Sequence, residues 1–588
     1  MSRAVSPVLN SAHEAAEDLD VFLGDPRNPE GPFSYRAMVE AEERNENPAG
    51  TLEAMREFGF EKFLVPEELG GRLHALDELF FICRTLSRRN LTVAVRYGSA
   101  LLGANPVWLW GRDEQKKEVA QAILDGSLTC FGVSEADHGS DLRACEAHAD
   151  KEGDDYLLTA EKWPVGNATR GRFVTTFAKT SAAGFSLLLV DKEALDPASW
   201  STLPFVKTVG LRGHDLSGVS FEGSRLPQSA VLGREGTGLV QVLKALQITR
   251  TAISALSVGT MDATLRIALQ YSRERNLYGS CIYNLPVIRE HLVNGHIDLM
   301  ISECVAVPVT KALSIAPDRM SLWSSVVKYF VPVMAEKTVA SMAVVLGARS
   351  YLREGVADGV FQKLQRDHAI ASIFEGTTHV NLHTIADQLP YVLKHGVGVA
   401  AQAAAEQDAE RAETLARLFS LTDAAPRWEP RGMDLQLTNE GLDEITHGWD
   451  AAVQQVEKLA QDVASDTAVH AIAAILRDID RVRARHHADI AGAQDRDGRS
   501  AQALTEAERH CVFHAMASCL YTWLTNRDTR GAAFADGGWL LLCLQRLAQQ
   551  IRLPAELSEE HLPAVEEHMF TCLEEGETFS LLSLARPE

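Results

Sequence analysis

The chain has 588 residues, with 57 Lys and Arg against 80 Asp and Glu for a net charge of −23, a balance that excludes a general binder of nucleic acid or of anionic membrane surfaces but leaves room for a local basic patch around a phosphate-bearing ligand. With 46% hydrophobic and 23% charged residues it reads as globular, and its length predicts three or four domains rather than one core. Nine scattered cysteines without a C-x-x-C exclude a disulfide framework or zinc ribbon, and no apolar h-region or run of about 20 apolar residues is visible, so a cytoplasmic protein without a membrane span is expected.

Residues 1–127 read as a helical domain. Leu52, Met55 and Phe58, then Leu76, Leu79, Phe80, Cys83 and Leu86, recur near the 3.6 period, broken at Pro66 and Gly70-Gly71. Gly111–Lys117 reads as a surface helix by composition. From Leu128 the texture changes to strand-like runs, Leu128–Val133, Arg172–Lys179 and Phe185–Asp191, separated by Gly, Asn and Asp turns, which predicts a β-domain over 128–238. Residues 239–398 return to helical periodicity, with Leu243, Leu246, Ile248, Ile253, Leu256 and Val258 marking one long helix. Residues 399–588 read as a further all-helical domain, carrying Trp449, Val453, Val456, Leu459, Val463 and later Cys511, Met516, Cys519, Leu520 and Trp523, with loop-rich breaks at Gln494–Gly498 and Arg527–Gly538.

The chemistry-bearing stretch is Arg366–Asn381, RDHAIASIFEGTTHVN, which sets Glu375 against Gly376 and Thr377 after an apolar run. Gly lets backbone approach a ligand closely. Ile370, Ile373 and Phe374 can exclude water, and desolvation would move the Glu375 carboxyl from about 4.3 towards the roughly 6–7 that suits a general base. Taken alone, a turn-terminal Glu is the commoner explanation, so the motif needs company. His379 and His383 follow at a spacing that would align them with Glu375 on one helix face, but no second carboxylate–His set accompanies them and no metal is expected.

The company lies upstream. Phe131-Gly-Val133-Ser134-Glu-Ala-Asp-His-Gly139-Ser140-Asp141, Lys162-Trp163-Pro-Val165-Gly-Asn167, Val209-Gly-Leu-Arg-Gly-His214-Asp215, Leu232-Gly-Arg-Glu-Gly-Thr-Gly238, Arg275-Asn-Leu-Tyr278-Gly279 and the closing Glu375-Gly376-Thr377 run in order. Over about residues 50–395 this series resembles the acyl-CoA dehydrogenase family. The resemblance implies an α+β, mainly helical architecture: an N-terminal helical domain, a middle β-barrel-like domain, a C-terminal four-helix bundle and, as in the very-long-chain members, an appended all-α domain that favours a homodimer over a tetramer.

It further implies bound FAD and α,β-dehydrogenation of an acyl thioester, with Glu375 removing the α-proton and hydride passing to flavin N5. Phe131, Val133, Ser134, Gly139, Ser140, Trp163 and Val165 would form the flavin wall; Arg275, Tyr278 and Thr377 would contact the cofactor's phosphate and adenosine side, Arg275 reaching into a neighbouring subunit. Ser140, Arg250 and Gly376 would border the substrate, Arg250 either snorkelling or aimed into the cavity. An electron-transfer flavoprotein or oxygen would take the electrons. Departures stand beside these matches: Val165 replaces a hydroxyl residue, His214 replaces Ser, and the adenosine loop has become Val344–Ser350. The rival readings are the same reaction on an acyl-carrier-protein substrate, a flavin-poor scaffold protein on the same fold, and a flavin monooxygenase, against which Glu375 speaks.

Overall fold

A computed structural model describes residues 11–181, 184–394, 401–462, 467–492 and 497–585. The sequence expectations at Val463, at Gln494 and at the 398/399 boundary lie outside the described residues. The N-terminal part is helical, with α1 (Ser11–Leu23), α2 (Tyr35–Glu43), α3 (Thr51–Phe58), α4 (Leu76–Trp110) and α5 (Asp113–Leu124). The long α4 buries nearly its whole circumference, including Leu79, Phe80, Leu86, Ala104 and Trp108. Its axis breaks at Asn90, whose φ of −150° and ψ of 97° are non-helical. Gln115, Val119, Ala120 and Ile123 of α5 are buried, so that helix is amphipathic and docked rather than purely superficial.

A seven-stranded sheet follows, from β1 (Thr129–Gly132), β2 (His148–Glu152), β3 (Asp155–Gly166), β4 (Phe173–Ser181), β5 (Gly184–Asp191), β6 (Trp200–Thr202) and β7 (Leu216–Pro227), in the order β1-β4-β2-β3-β7-β6 with β5 on β4. The three strands read from sequence match β1, β4 and β5 to within two residues; β2, β3, β6 and β7 were not visible, because polar residues and Pro164 interrupt their alternation. Gly103 of α4 lies so close to β1 that a Cβ there would sit 2.6 Å from the Cys130 backbone nitrogen, which fixes how helix and sheet meet.

The helical part comprises α6 (Gly238–Ala252), α7 (Ser254–Glu274), α8 (Pro286–Ile315), α9 (Met320–Leu346), α10 (Val360–His368) and α11 (Thr378–Val392), with a short hairpin, β8 (Asn276–Leu277) and β9 (Ser280–Cys281), between α7 and α8. The single long helix expected through Leu243–Val258 is two helices meeting at Ile253. A second correction concerns apolar length: α6 with α7, α8, and the stretch Pro317–Tyr351 are each long and apolar enough to cross a membrane. Their hydrophobicity serves packing, since 89%, 89% and 56% of the respective windows are buried inside the protein.

Beyond α11 come α12 (Ala401–Phe419), α13 (Glu444–His447), α14 (Trp449–Asp462), α15 (Thr467–Gly492), α16 (Ala501–Asn526), α17 (Ala532–Ala535), α18 (Gly538–Gln550), α19 (Leu562–Glu574) and α20 (Leu581–Leu584). Helix α17 falls within the Arg527–Gly538 stretch expected to be loop. These helices are not tethered loosely: α16 packs on α8, α9 and α11, and Arg546 grips Asp298 of α8 through two hydrogen bonds of 2.9 Å. The chain's last described turn is held the same way. Glu303 of α8 pairs with buried Arg84 of α4 and accepts Ser580 Oγ and the Leu581 amide, each at 2.7 Å.

Removing one partner of a buried, hydrogen-bonded ion pair leaves an uncompensated charge and costs about 3–5 kcal/mol. Glu303→Ala is therefore expected to lower thermal stability and to speed amide exchange across Phe579–Leu584; exchange unchanged from wild type would show that helix packing alone holds this end.

Candidate active site

Residues 369–377 form the turn between α10 and α11 and carry Glu375, whose φ of 56° lies in the left-handed region, followed by Gly376 at φ 106°. This backbone places Glu375 outside α11, so the shared helix face expected for Glu375, His379 and His383 does not exist; His383 instead faces the Gly498 carbonyl through Nδ1 at 3.3 Å. Two buried cations hold the turn. Arg250 of α6, 6% exposed, donates from Nε to the Glu375 carbonyl at 2.9 Å, and a Cβ on Gly376 would stand only 3.0 Å from its Nη2. Arg250 thus neither snorkels nor points free into a cavity. It clamps the backbone of the residue expected to be the base. Lys328 of α9, 2% exposed, donates from Nζ to the Ala371 carbonyl at 2.5 Å and lies 5.3 Å over the Phe374 ring.

The Glu375 side chain enters a narrow cavity of about 30 Å³ between α4, α6 and α7, lined by Leu79, Cys83, Ala94, Val95, Tyr97, Gly98, Ser99, Leu101, Ile253, Leu256 and Phe374 among others. Its Oε2 is buried and has no hydrogen-bond partner among the described residues. Burial raises the Glu375 carboxyl above its usual range, while the Thr249 hydroxyl, Lys328 and Arg250 pull it back. Burial likewise pushes Arg250 down to about 10 and Lys328 down to about 7, against the opposing charge of Glu375. Tyr97 closes one wall, fixed by its hydroxyl's bond to buried Glu61 at 3.1 Å.

The middle-domain residues adjoin this cavity through Ser99. A Cβ on Gly166 would stand 2.6 Å from Ser99 Oγ and 3.2 Å from His214 Nε2. Position 166, not 165, therefore faces the helical part. A register shift between Lys162 and Val165 in the β3–β7 pairing reverses the alternation, so Val165 is buried in the core and cannot present a side chain to a cofactor. Trp163 is half-buried, and its amide donates to the Ser134 carbonyl at 3.0 Å, joining the two expected flavin-wall segments. Phe131 and Ser134 are half-buried; Gly139 and Ser140 are exposed. Val133 is buried, so only its backbone is on offer, and its carbonyl already accepts Lys162 Nζ at 3.2 Å.

Arg275 and Tyr278 lie on the exposed β8–β9 hairpin and are not brought to the cavity; Tyr278, at φ 55°, is 92% exposed. Thr377 is the N-cap of α11, its hydroxyl accepting the Val380 amide at 3.4 Å. Sequence reasoning missed Lys328, whose setting in the apolar run SVVKYFVPVM gave no sign of a site, and the buried Glu135–Lys162 pair of 2.7 Å, which staples the Ser134 loop to β3.

Comparison with known proteins supplies the family. The descriptions "Acyl-CoA dehydrogenase, N-terminal domain", "middle domain" and "C-terminal domain" match residues 35–127, 130–224 and 236–389, together more than half of the chain. The chain belongs to the acyl-CoA dehydrogenase family. It is 25% identical over 347 residues to the probable acyl-CoA dehydrogenase fadE25 of Mycobacterium leprae, covering 58% of this chain and 87% of that one. It is 28% identical over 369 residues to the human mitochondrial short-chain specific acyl-CoA dehydrogenase, covering 58% and 82%. The crystal structure of a Bacillus anthracis acyl-CoA dehydrogenase complexed with FAD superposes with a TM-score of 0.68 at 19% identity, over 97% of this chain and 98% of that one, so its fold includes the helices beyond residue 390.

As a member of this family the protein is a flavin oxidoreductase with FAD as cofactor. Its residues fit a flat ring with polar edges: Phe131, Ser134 and Trp163 give a half-buried wall, and nothing lies within 4 Å of where a Gly139 Cβ would be.

If Lys328 and Arg250 favour the ionised base, activity should rise with pH as Glu375 deprotonates, at a value above the ordinary carboxylate range. Lys328→Met removes a cation that stabilises the carboxylate, so this limb should move to higher pH, and Lys328→Arg should restore it. A pH–rate profile for Lys328→Met that superimposes on wild type would show that Lys328 only fills space.

Proposed function

We propose that the protein catalyses α,β-dehydrogenation of an acyl thioester, with Glu375 as general base. The observation that carries this reading is the buried Glu375 Oε2, without a hydrogen-bond partner among the described residues, inside an apolar cavity where burial raises the carboxyl's affinity for a proton. The acyl chain would lie along α4 between Leu79 and Leu101 and against Ile253 and Leu256, with its α-carbon beside Oε2. The cavity is narrower than the several hundred Å³ of a typical ligand pocket, so an acyl chain must part its walls on entry.

The amide of Glu375 is assigned to the thioester carbonyl, whose polarisation acidifies the α-carbon. Loss of the α-proton to Oε2 and of the β-hydrogen with its electron pair leaves a carbon–carbon double bond. FAD, when bound, is the acceptor of that hydride. Arg250 and Lys328 hold the base in place through the backbone on either side of it. Coenzyme A is the preferred thioester carrier, Ser140 and Gly376 bordering the substrate, and an electron-transfer flavoprotein is the preferred acceptor of the electrons.

Glu375→Gln, nearly isosteric but unable to accept a proton, should keep its flavin content and lose roughly 10²–10⁴-fold or more in the rate of flavin reduction. Anaerobic mixing of wild type with acyl-CoA and acyl-carrier-protein panels, then with electron-transfer flavoprotein or oxygen, identifies substrate and acceptor together. Equal bleaching of wild type and Glu375→Gln would place the base elsewhere.

The same reading assigns the exposed hairpin with Arg275, Leu277 and Tyr278 to the flavin edge of a second subunit, giving a homodimer. Light scattering should report two subunits. Tyr278→Asp should shift the mass towards one subunit and make FAD easier to lose on desalting; a four-subunit mass for the full chain would refute the arrangement.

A further inference from the structure

Sharing no lining residue with the Glu375 cavity, a cleft of about 650 Å³ opens between α1, α2, α4, α7, the loop 355–358 and the end of α19. Its volume falls in the range of sites for small organic ligands. Arg88, Arg89 and Arg266 line it, together with Tyr35, Tyr271 and Val356. Arg88 is 2% and Arg89 7% exposed.

Their carboxylate partners are too few. Asp20 alone accepts both Arg88 Nη2 at 2.6 Å and Arg89 Nη2 at 2.8 Å. Asp262 stands 3.7 Å from Arg88 Nη1 and 3.5 Å from Arg266 Nε, beyond hydrogen-bond reach, and spends its other oxygen on the Phe579 amide at 2.8 Å. Arg88 Nε and Nη1, Arg89 Nε and Arg266 Nε are buried without an acceptor among the described residues. Arg266 also donates from Nη1 to the Cys572 carbonyl at 3.2 Å and from Nη2 to the Glu577 carbonyl, so among the described residues the unmet donors are chiefly those of Arg88 and Arg89. At the mouth, Asp25 is neutralised by its two-pronged pair with Arg27, and Glu274 and Asp358 are exposed, where water and salt screen them.

Burying a cation without a full complement of acceptors is costly, and an oxyanion meeting the guanidinium edges removes that cost while making charge-assisted, fork-shaped hydrogen bonds. Burial and the neighbouring Arg88 push Arg89 down to about 10, whereas Asp20 and Asp262 hold Arg88 above its ordinary value. We propose that this cleft binds a small-molecule oxyanion, a phosphate ester or a carboxylate, through Arg88 and Arg89, at a site separate from that of the thioester chemistry.

The test is isothermal titration of the FAD-loaded full chain with inorganic phosphate, AMP and succinate, the first two reporting on phosphate and the third on carboxylate. At least one should bind, with affinity falling as salt is raised, and Arg89→Gln should weaken it at least about tenfold, since a charge-assisted hydrogen bond of about 1.5–3 kcal/mol is lost. Arg89→Lys, which keeps the charge but not the fork, should weaken it less. Arg225→Gln, on the middle-domain surface, should bind as wild type does. Absence of binding by all three probes to the wild type overturns the proposal, as does equal affinity in Arg89→Gln and wild type; should Arg89→Gln not fold, wild type against Arg89→Lys decides. None of these outcomes touches Glu375, so failure here leaves the dehydrogenase reading standing.

Discussion

The structure turns on the clamp that two buried cations place on the loop between α10 and α11. A left-handed conformation at a residue other than glycine costs about 1–3 kcal/mol and persists only where its surroundings over-determine it. Here Arg250 holds the Glu375 carbonyl from α6 and Lys328 holds the Ala371 carbonyl from α9. With the backbone pinned on both sides, the side chain has one direction left, into the seam between α4 and α7. The same two cations limit how far burial can raise the carboxyl, so one pair of contacts bears on both the position of Glu375 and its proton affinity.

The middle domain is tied to this loop by carboxylates that act as cross-links rather than as reagents. Asp367, one residue into the RDHAIASIFEGTT stretch, accepts the Leu211 amide at 2.6 Å and Thr92 Oγ1 at 3.1 Å, joining α10 to the β6–β7 connection and to α4. Asp215 in turn accepts Thr169 Oγ1 at 2.8 Å, joining that connection to the turn after β3. Gly210 fits because a Cβ there would lie 2.2 Å from the Arg366 carbonyl oxygen. The motifs that recur along the sequence are thus neighbours in space, and much of their purpose is to register the sheet against the helices around the cavity.

This explains what could be read from the sequence and what could not. That Glu375 sits in a water-poor setting was legible because Ile370 and Phe374 precede it and Gly376 follows, and the structure places it at an apolar cavity. The helical periodicity of α4 and of the α6–α7 stretch was legible, but not that the latter is long and apolar enough to span a membrane. The outward turn of Gly166 rather than Val165 was not legible, because a bulge changes which residue faces out and strand alternation gives no warning of a bulge. Lys328 was invisible for a different reason. Its partner is a backbone carbonyl 43 residues away, and no local pattern records a contact of that range.

The helices beyond residue 400 bear on the same clamp. α9 presents Lys328 to the loop 369–377 and, at the next position, Tyr329 to α16, where burial, Cys511 and the charge of Glu508 raise the phenol's proton affinity. α8, packed along α9, is gripped in turn by Arg546 of α18 at Asp298 and closed by Ser580 at Glu303. An apolar helix such as α9, with Trp323, Val326, Val327 and Val331 all buried, cannot keep a fixed rotation in a layer that is covered on one side only. A fixed rotation is what carries the Lys328 amine to Ala371. The appended helices are accordingly part of the wall against which Glu375 is positioned, and loosening them would reach its loop through α9.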